Sequence, residues 1–176
     1  MFTRNWYKLL AVKMSNSSYD GGFQNYSGGT QTHGNTNSLN IAIGSAGSDV
    51  YSPSLHNLRT SLGYGGVILG TGSTPATVDD YRLSGNLINT VSASRSVTSK
   101  MTESGITFEA LYTITNAGDT AITIGEIGLV ANQYTNSANA NYTALLERTV
   151  LDTPITIEPG GVGQVTYTIT MNFPTE

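Results

Sequence analysis

From Asn86 to the C-terminus apolar residues recur at every second position. Ile106, Phe108, Ala110, Tyr112 and Ile114 alternate with more polar neighbours, and so do Val165, Tyr167, Ile169 and Met171. A period of two sends successive side chains to opposite faces of a strand, so each set marks one buried face. The turn residues Asn116 to Asp119 predict a hairpin, with Ile122 and Ile124 starting its return strand. Beyond Val130 the polar run 131–141 predicts a loop and Asp152 to Pro154 a bend. Pro159, Gly160 and Gly161 predict a turn between the last two strands.

The first half reads differently. Phe2, Trp6, Leu9 or Leu10 and Lys13 fall at three- and four-residue spacings, which predicts a helix or hook over Met1 to Met14. Such a segment can cap its own domain or insert into a neighbour. The apolar area of Phe2, Trp6, Tyr7 and Leu10, joined to the rest through a Gly/Ser-rich tract, favours an intermolecular assembly arm. The tract from Ser15 to Ser38 has too few apolar residues for a core and predicts a long loop or a strand-poor meander. Residues 1–38 are therefore expected to be an arm with a polar tract, and 39–176 a β-domain. In that domain LNIAIG from Leu39, the Leu55–Leu62 region and the glycine-bounded GVILG from Gly66 supply short apolar pieces. Many short strands with turns between them predict an all-β antiparallel sandwich of jelly-roll type.

The phase of alternation breaks once. Ile122 and Ile124 would put position 126 on the buried face, yet that position is Glu126, and Ile127 and Leu129 continue the apolar face one step later. A β-bulge at Gly125 and Glu126 accounts for the break, turning the carboxylate toward backbone N–H groups. The glutamate is then expected to be structural, and an amide in its place should cost only about 1 kcal/mol.

Composition narrows the function. Charged residues are 11% of the 176, the net charge is −4, and Lys and Arg form no cluster. That excludes nucleic acid as a primary partner, because phosphate binding needs several cations on one face. The absence of cysteine excludes disulfides and thiolate metal sites. Lys8 interrupts the apolar opening, so no signal peptide is expected, and no run reaches membrane-spanning length.

Candidate chemistry is sparse. No GxSxG elbow occurs, and GYGGVILGTGS aligns with neither GxGxxG nor a P-loop. His33 and His56 have no carboxylate at a useful spacing, Asp79 and Asp80 read as turn and cap residues with Thr77, and no pair stands out among the remaining carboxylates. The expectation is a non-enzyme without cofactor or metal.

Four segments do carry a resemblance. VILGTGSTPATVDDYRL, ITIGEIGLV and ALLERTVLDTPITIEPGG, followed by VTYTITMNF, resemble a recurring type of tailed-bacteriophage virion protein over about Gly66 to Phe173. Gly70, Gly72, Pro75, Asp80, Tyr81 and Leu83 match its first motif. Glu126, Ile127, Gly128 and Leu129 match the central strand, and Leu146, Arg148, Val150, Pro154, Pro159 and Gly160 match the last pair. The resemblance implies a β-sandwich that assembles with other virion proteins, as a capsid decoration, head fibre, neck or tail accessory. With the charge and hydropathy that leave out direct nucleic-acid and membrane contact, the expectation is a homo-oligomer placed in a virion assembled in the host cytoplasm. The alternative is a carbohydrate-binding sandwich for host attachment, suggested by ten Tyr, one Trp and an amide-rich surface.

Overall fold

The computed structural model describes residues 1–15, 19–33, 55, 57–63, 65–135 and 140–173. One helix, α1 (Arg4–Ser15), opens the chain, followed by the strands β1 (Tyr19–Gln24), β2 (Thr30–His33), β3 (Leu58–Arg59) and β4 (Gly66–Gly70). Longer strands follow: β5 (Val91–Thr102), β6 (Gly105–Asn116), β7 (Ile122–Thr135), β8 (Ala140–Ile157) and β9 (Val162–Asn172). They form a four-stranded sheet ordered β3-β4-β7-β8, a three-stranded sheet ordered β5-β6-β9, and a separate β1-β2 hairpin. The fold is an all-β sandwich with a short N-terminal helix, as the alternation predicts.

The core lies between the two sheets. Ala110, Tyr112 and Ile114 of β6 and Val165, Tyr167 and Ile169 of β9 meet Val67, Leu69, Ile124, Ile127 and Leu129 from the other sheet, all buried. Met171, Ile106 and Phe108 share the predicted faces but lie nearer the rim and are half-buried.

Connectivity departs from the expected hairpin. β6 pairs with β5 and β9, whereas β7 pairs with β4 and β8, so the turn at Asn116 to Asp119 carries the chain from one sheet to the other. A turn sequence reverses the chain locally but does not dictate which strand the return segment pairs with. Buried Asn116 builds this crossing: its amide donates to Thr120 O (2.8 Å) and Ile157 O (3.0 Å). The β8–β9 connection also changes sheets.

Two further expectations change. The polar run after Val130 continues β7 to Thr135 and resumes as β8 at Ala140, because paired backbone holds these residues whatever their side chains. The bend at Asp152 to Pro154 lies within β8, where Ile124 pairs with Ile155 but Glu126 with Val150. Gly125 alone thus faces Leu151 to Pro154, so the surplus residues sit on β8 and not on β7. The phase break comes where expected, and β8, an edge strand of its sheet, tolerates a proline that has no N–H to donate.

The N-terminal segment also differs from the expected arm. Trp6 and Leu9 are buried in the chain's own core, Phe2 and Leu10 pack against it, and Phe2 stacks on Trp6 with ring centroids 4.7 Å apart. Only Tyr7 is exposed. Thr3 N–H bonds Leu146 O (2.9 Å), and Phe2 forms an antiparallel bridge to Glu147, so this segment extends the edge of β8. The apolar periodicity is that of a helix capping its own domain. Within the polar tract β1 and β2 pair, and the Asn5 amide ties that hairpin to α1 through Gln24 O (2.7 Å). The 39–44 segment and His56 lie outside the described residues, and His33 falls at the end of β2.

Candidate functional site

Among the described residues, the outer face of the four-stranded sheet carries a dense polar cluster. A second apolar set, Ile68, Leu83, Val130 and Leu145 with Tyr26 and Leu87, lies on that face under the connection from Thr71 to Thr90. Gly128 passes close beneath it, since a Cβ there would come within 3.0 Å of Leu83 Cδ2 and 2.9 Å of Leu145 Cδ1. Glu126 and Arg148 stand on the same face of neighbouring strands. Arg148 is registered opposite Gly128, which makes it the diagonal neighbour of Glu126. A register slip between Leu129 and Val130, which leaves Leu146 unpaired, puts Leu145 and Arg148 on this face and turns Glu147 toward the core.

Glu126 is fully buried and all of its lone-pair directions are used. Oε1 accepts N–H bonds from Gly72 (3.0 Å) and Gly85 (2.7 Å). Oε2 accepts from Ser84 N–H (3.1 Å), Ser84 Oγ (3.3 Å) and Arg148 Nε (2.6 Å). Arg148, with 1% of its side chain exposed, is equally occupied. Its Nη1 donates to Asp80 Oδ2 (2.7 Å) and Pro75 O (3.4 Å), and its Nη2 to Thr74 O (2.6 Å) and Ser84 Oγ (2.8 Å). With Nε these contacts engage every side of the guanidinium fork. Asp80 closes a turn by accepting from Thr77 N–H (2.8 Å) and Thr77 Oγ1 (2.9 Å), while Asp79 pairs with Arg4 on the surface. The residues expected at a cap thus form a tight turn.

Small residues let the cluster close. A Cβ at Gly72 would collide with Ser84 Oγ and Glu126 Oε1, and one at Gly85 would strike the Gly72 amide. Burial alone would raise the Glu126 pKa. The bonds from Gly85, Arg148 and Ser84 outweigh it and hold the carboxyl below its ordinary range. Burial opposes the charge of Asp80 too, yet Thr77 and Arg148 keep its pKa low, and the two carboxylates hold the Arg148 pKa above normal. The cluster is an ionised, saturated staple. It offers no unpaired base or nucleophile, and its chemistry is to pin the overlying connection to β7 and β8.

The motif residues therefore converge. Gly70, Gly72, Pro75, Asp80, Leu83, Glu126, Gly128 and Arg148 come together here, and the Tyr81 ring lies beside Gly28 of the β1–β2 turn. Pro154 does not join them, nor do Phe2, Trp6, Tyr7 and Leu10. Nothing local in the sequence marks Ser84, because its role depends on a chain reversal. A second buried group was also missed: the Tyr167 hydroxyl donates to Glu147, whose Oε1 accepts from Thr149 Oγ1 (2.7 Å) and the Met1 ammonium (2.5 Å). Burial and that neighbouring carboxylate push the Tyr167 pKa well up. Adjacent Glu147 and Arg148 within the apolar run ALLERTV were the available signal.

Beside the staple Tyr26, Thr71, Arg82, Ser84 and Asn86 line an open concavity of about 570 Å³. Among the described residues no group of three His, Asp or Glu side chains is placed to hold a metal ion, and no helix is long and apolar enough to cross a membrane. Comparison with protein-family models, with curated proteins and with solved structures finds no match.

Proposed function

We propose that this chain is a structural component of a bacteriophage particle, acting by protein–protein assembly as a capsid decoration, head fibre, neck or tail accessory. The observation that carries this reading is the convergence of the motif residues on a saturated staple. The residues that resemble virion proteins build a fixed surface connection and leave no free reactive group. A particle component works by holding a shape, and many copies of modest affinity attach firmly through multivalency. The charge-poor, hydroxyl-rich surface suits contacts made in a crowded shell. Electron micrographs of intact particles labelled with antibody against this chain test the reading. Label at a fixed position on the particle is the expected result, and label only on free protein would overturn it.

The concavity beside Tyr26 favours one second reading, a carbohydrate-binding module, because an aromatic ring, hydroxyls and an amide are the groups that bind sugars. A glycan array checks it. Binding that Tyr26→Ala abolishes would support the module, and a blank array would leave the assembly reading standing.

A further inference from the structure

The edges of the two sheets are not equally protected. On β8 the backbone at Leu146 and Arg148 is bonded by Thr3 and Met1, and farther along the strand carries a register slip and Pro154. On β5 the exposed Arg95 and Lys100 put two cations on the edge, and β3 is only two residues long. These are the devices that stop one sheet from adding to another. β9 has none of them: VGQVTYTITMN runs for eleven residues without a charge or a proline, and among the described residues no strand pairs with its far side.

The direction of the free groups follows from one hydrogen bond. Phe173 N–H donates to Ser104 O (2.9 Å), beside β6, so by alternation the odd-numbered residues of β9 bond β6. The N–H and C=O groups of Thr166, Thr168 and Thr170 then point away from the sheet. Their side chains are exposed, while Val165, Tyr167 and Ile169 face the core. An open groove of about 210 Å³ separates Thr168 to Thr170 from Met1 and Phe2 and leaves room beside the strand.

We propose that β9 is the edge through which two copies of this chain join, β9 pairing antiparallel with β9 of the second copy in one continuous six-stranded sheet. A two-fold axis makes such a pairing self-complementary, with threonines facing threonines outside and apolar residues facing apolar residues inside. An uncharged edge also suits self-association, because it brings no like charges together in a chain of net charge −4. The inference deepens the assembly reading and rests on it for the presence of a second copy.

The chain has no cysteine, so single cysteines report the pairing cleanly. The test places one at Thr166, Thr168 or Thr170, and one at Ser96 on β5 as the control edge. The full chain should sediment as a dimer, mild oxidation should link at least one of the β9 variants covalently, and Ser96→Cys should stay unlinked. Thr166→Lys with Thr168→Lys should weaken the dimer about tenfold or more while leaving the Tm of the dilute monomer unchanged, since both side chains are exposed. A dimer that ignores the lysines, or links only through β5, overturns the edge and leaves the assembly reading intact. A monomer that still labels particles does the same, and a monomer that never joins a particle overturns both.

Discussion

The outer faces of the two sheets are finished in opposite ways. On the four-stranded sheet Ile68, Val130 and Leu145 lie beneath Leu83, and the connection above is fastened by Glu126, Arg148 and Asp80. On the three-stranded sheet Ser92, Ser94, Ser96 and Thr98 of β5 face solvent, as do Thr166, Thr168 and Thr170 of β9. The first face is closed by the chain's own irregular backbone, which needs ions and tight glycines because buried N–H groups must find acceptors. The second is closed by nothing among the described residues and needs only hydroxyls. Energetic cost should therefore concentrate in the first region, while the second stays free to meet a partner.

The core beneath the closed face should be the least tolerant. Ile127 is 1% exposed and packs between the sheets, so Ile127→Asp buries an unpaired charge and should leave no folded protein by circular dichroism. Trp6→Ala should cost about 3–5 kcal/mol in chemical denaturation. Tyr7→Ala, one position away on the exposed side of α1, should fall within about 0.5 kcal/mol. Equal effects of the two would mean that α1 does not pack on this core.

Glu126→Gln tests the staple. Two N–H groups converge on Oε1 and three donors on Oε2, so an amide NH₂ must oppose donors whichever way it turns. The buried Arg148 meanwhile loses a counter-charge, and the loss should be about 3–5 kcal/mol. This replaces the mild effect expected from a bulge glutamate that meets only backbone donors. Acid should act in the same direction. The folded-state pKa values of Glu126 and Asp80 are lowered, so the stability they give is present above the ordinary carboxylate range near pH 4 and is lost as pH falls through the folded values. Urea midpoints measured against pH should fall less steeply in Glu126→Gln than in the parent, and parallel curves would sink the account.

Strand faces were legible in the sequence because alternation is written residue by residue, as the burial of Ala110, Tyr112, Ile114, Val165 and Tyr167 shows. The phase break at Glu126 was legible for the same reason. Strand partners were not: β6 and β7 are joined by a turn that looks like a hairpin yet belong to different sheets, and pairing is decided by tertiary packing. The slip at Leu146 left no trace either, so nothing marked Arg148 and Leu145, three apart, as sharing a face. For the site, the motif residues could be named one by one. Their meeting point could not, because it depends on a connection folding back over a sheet face.

The smallest expected effects come from making the same substitution on both sides of the comparison. Thr3 is fully buried at the closed side, where its hydroxyl donates to Leu145 O at 2.7 Å. Thr107 lies on the open face, its hydroxyl 3.4 Å from that of Thr170. Replacing either by Val keeps the β-branched shape, so strand or turn preference changes little and the hydroxyl is the variable. At Thr3 a buried bond disappears, but Leu145 O keeps the Asn5 amide at 3.2 Å and is not left bare, so the loss should be about 1 kcal/mol. At Thr107 water replaces a long, exposed contact, and the change should stay within about 0.5 kcal/mol. Urea denaturation of the two variants beside the parent separates these values. A Thr107→Val loss as large as that of Thr3→Val would mean that the open face is covered after all, and the contrast between the two faces would fail.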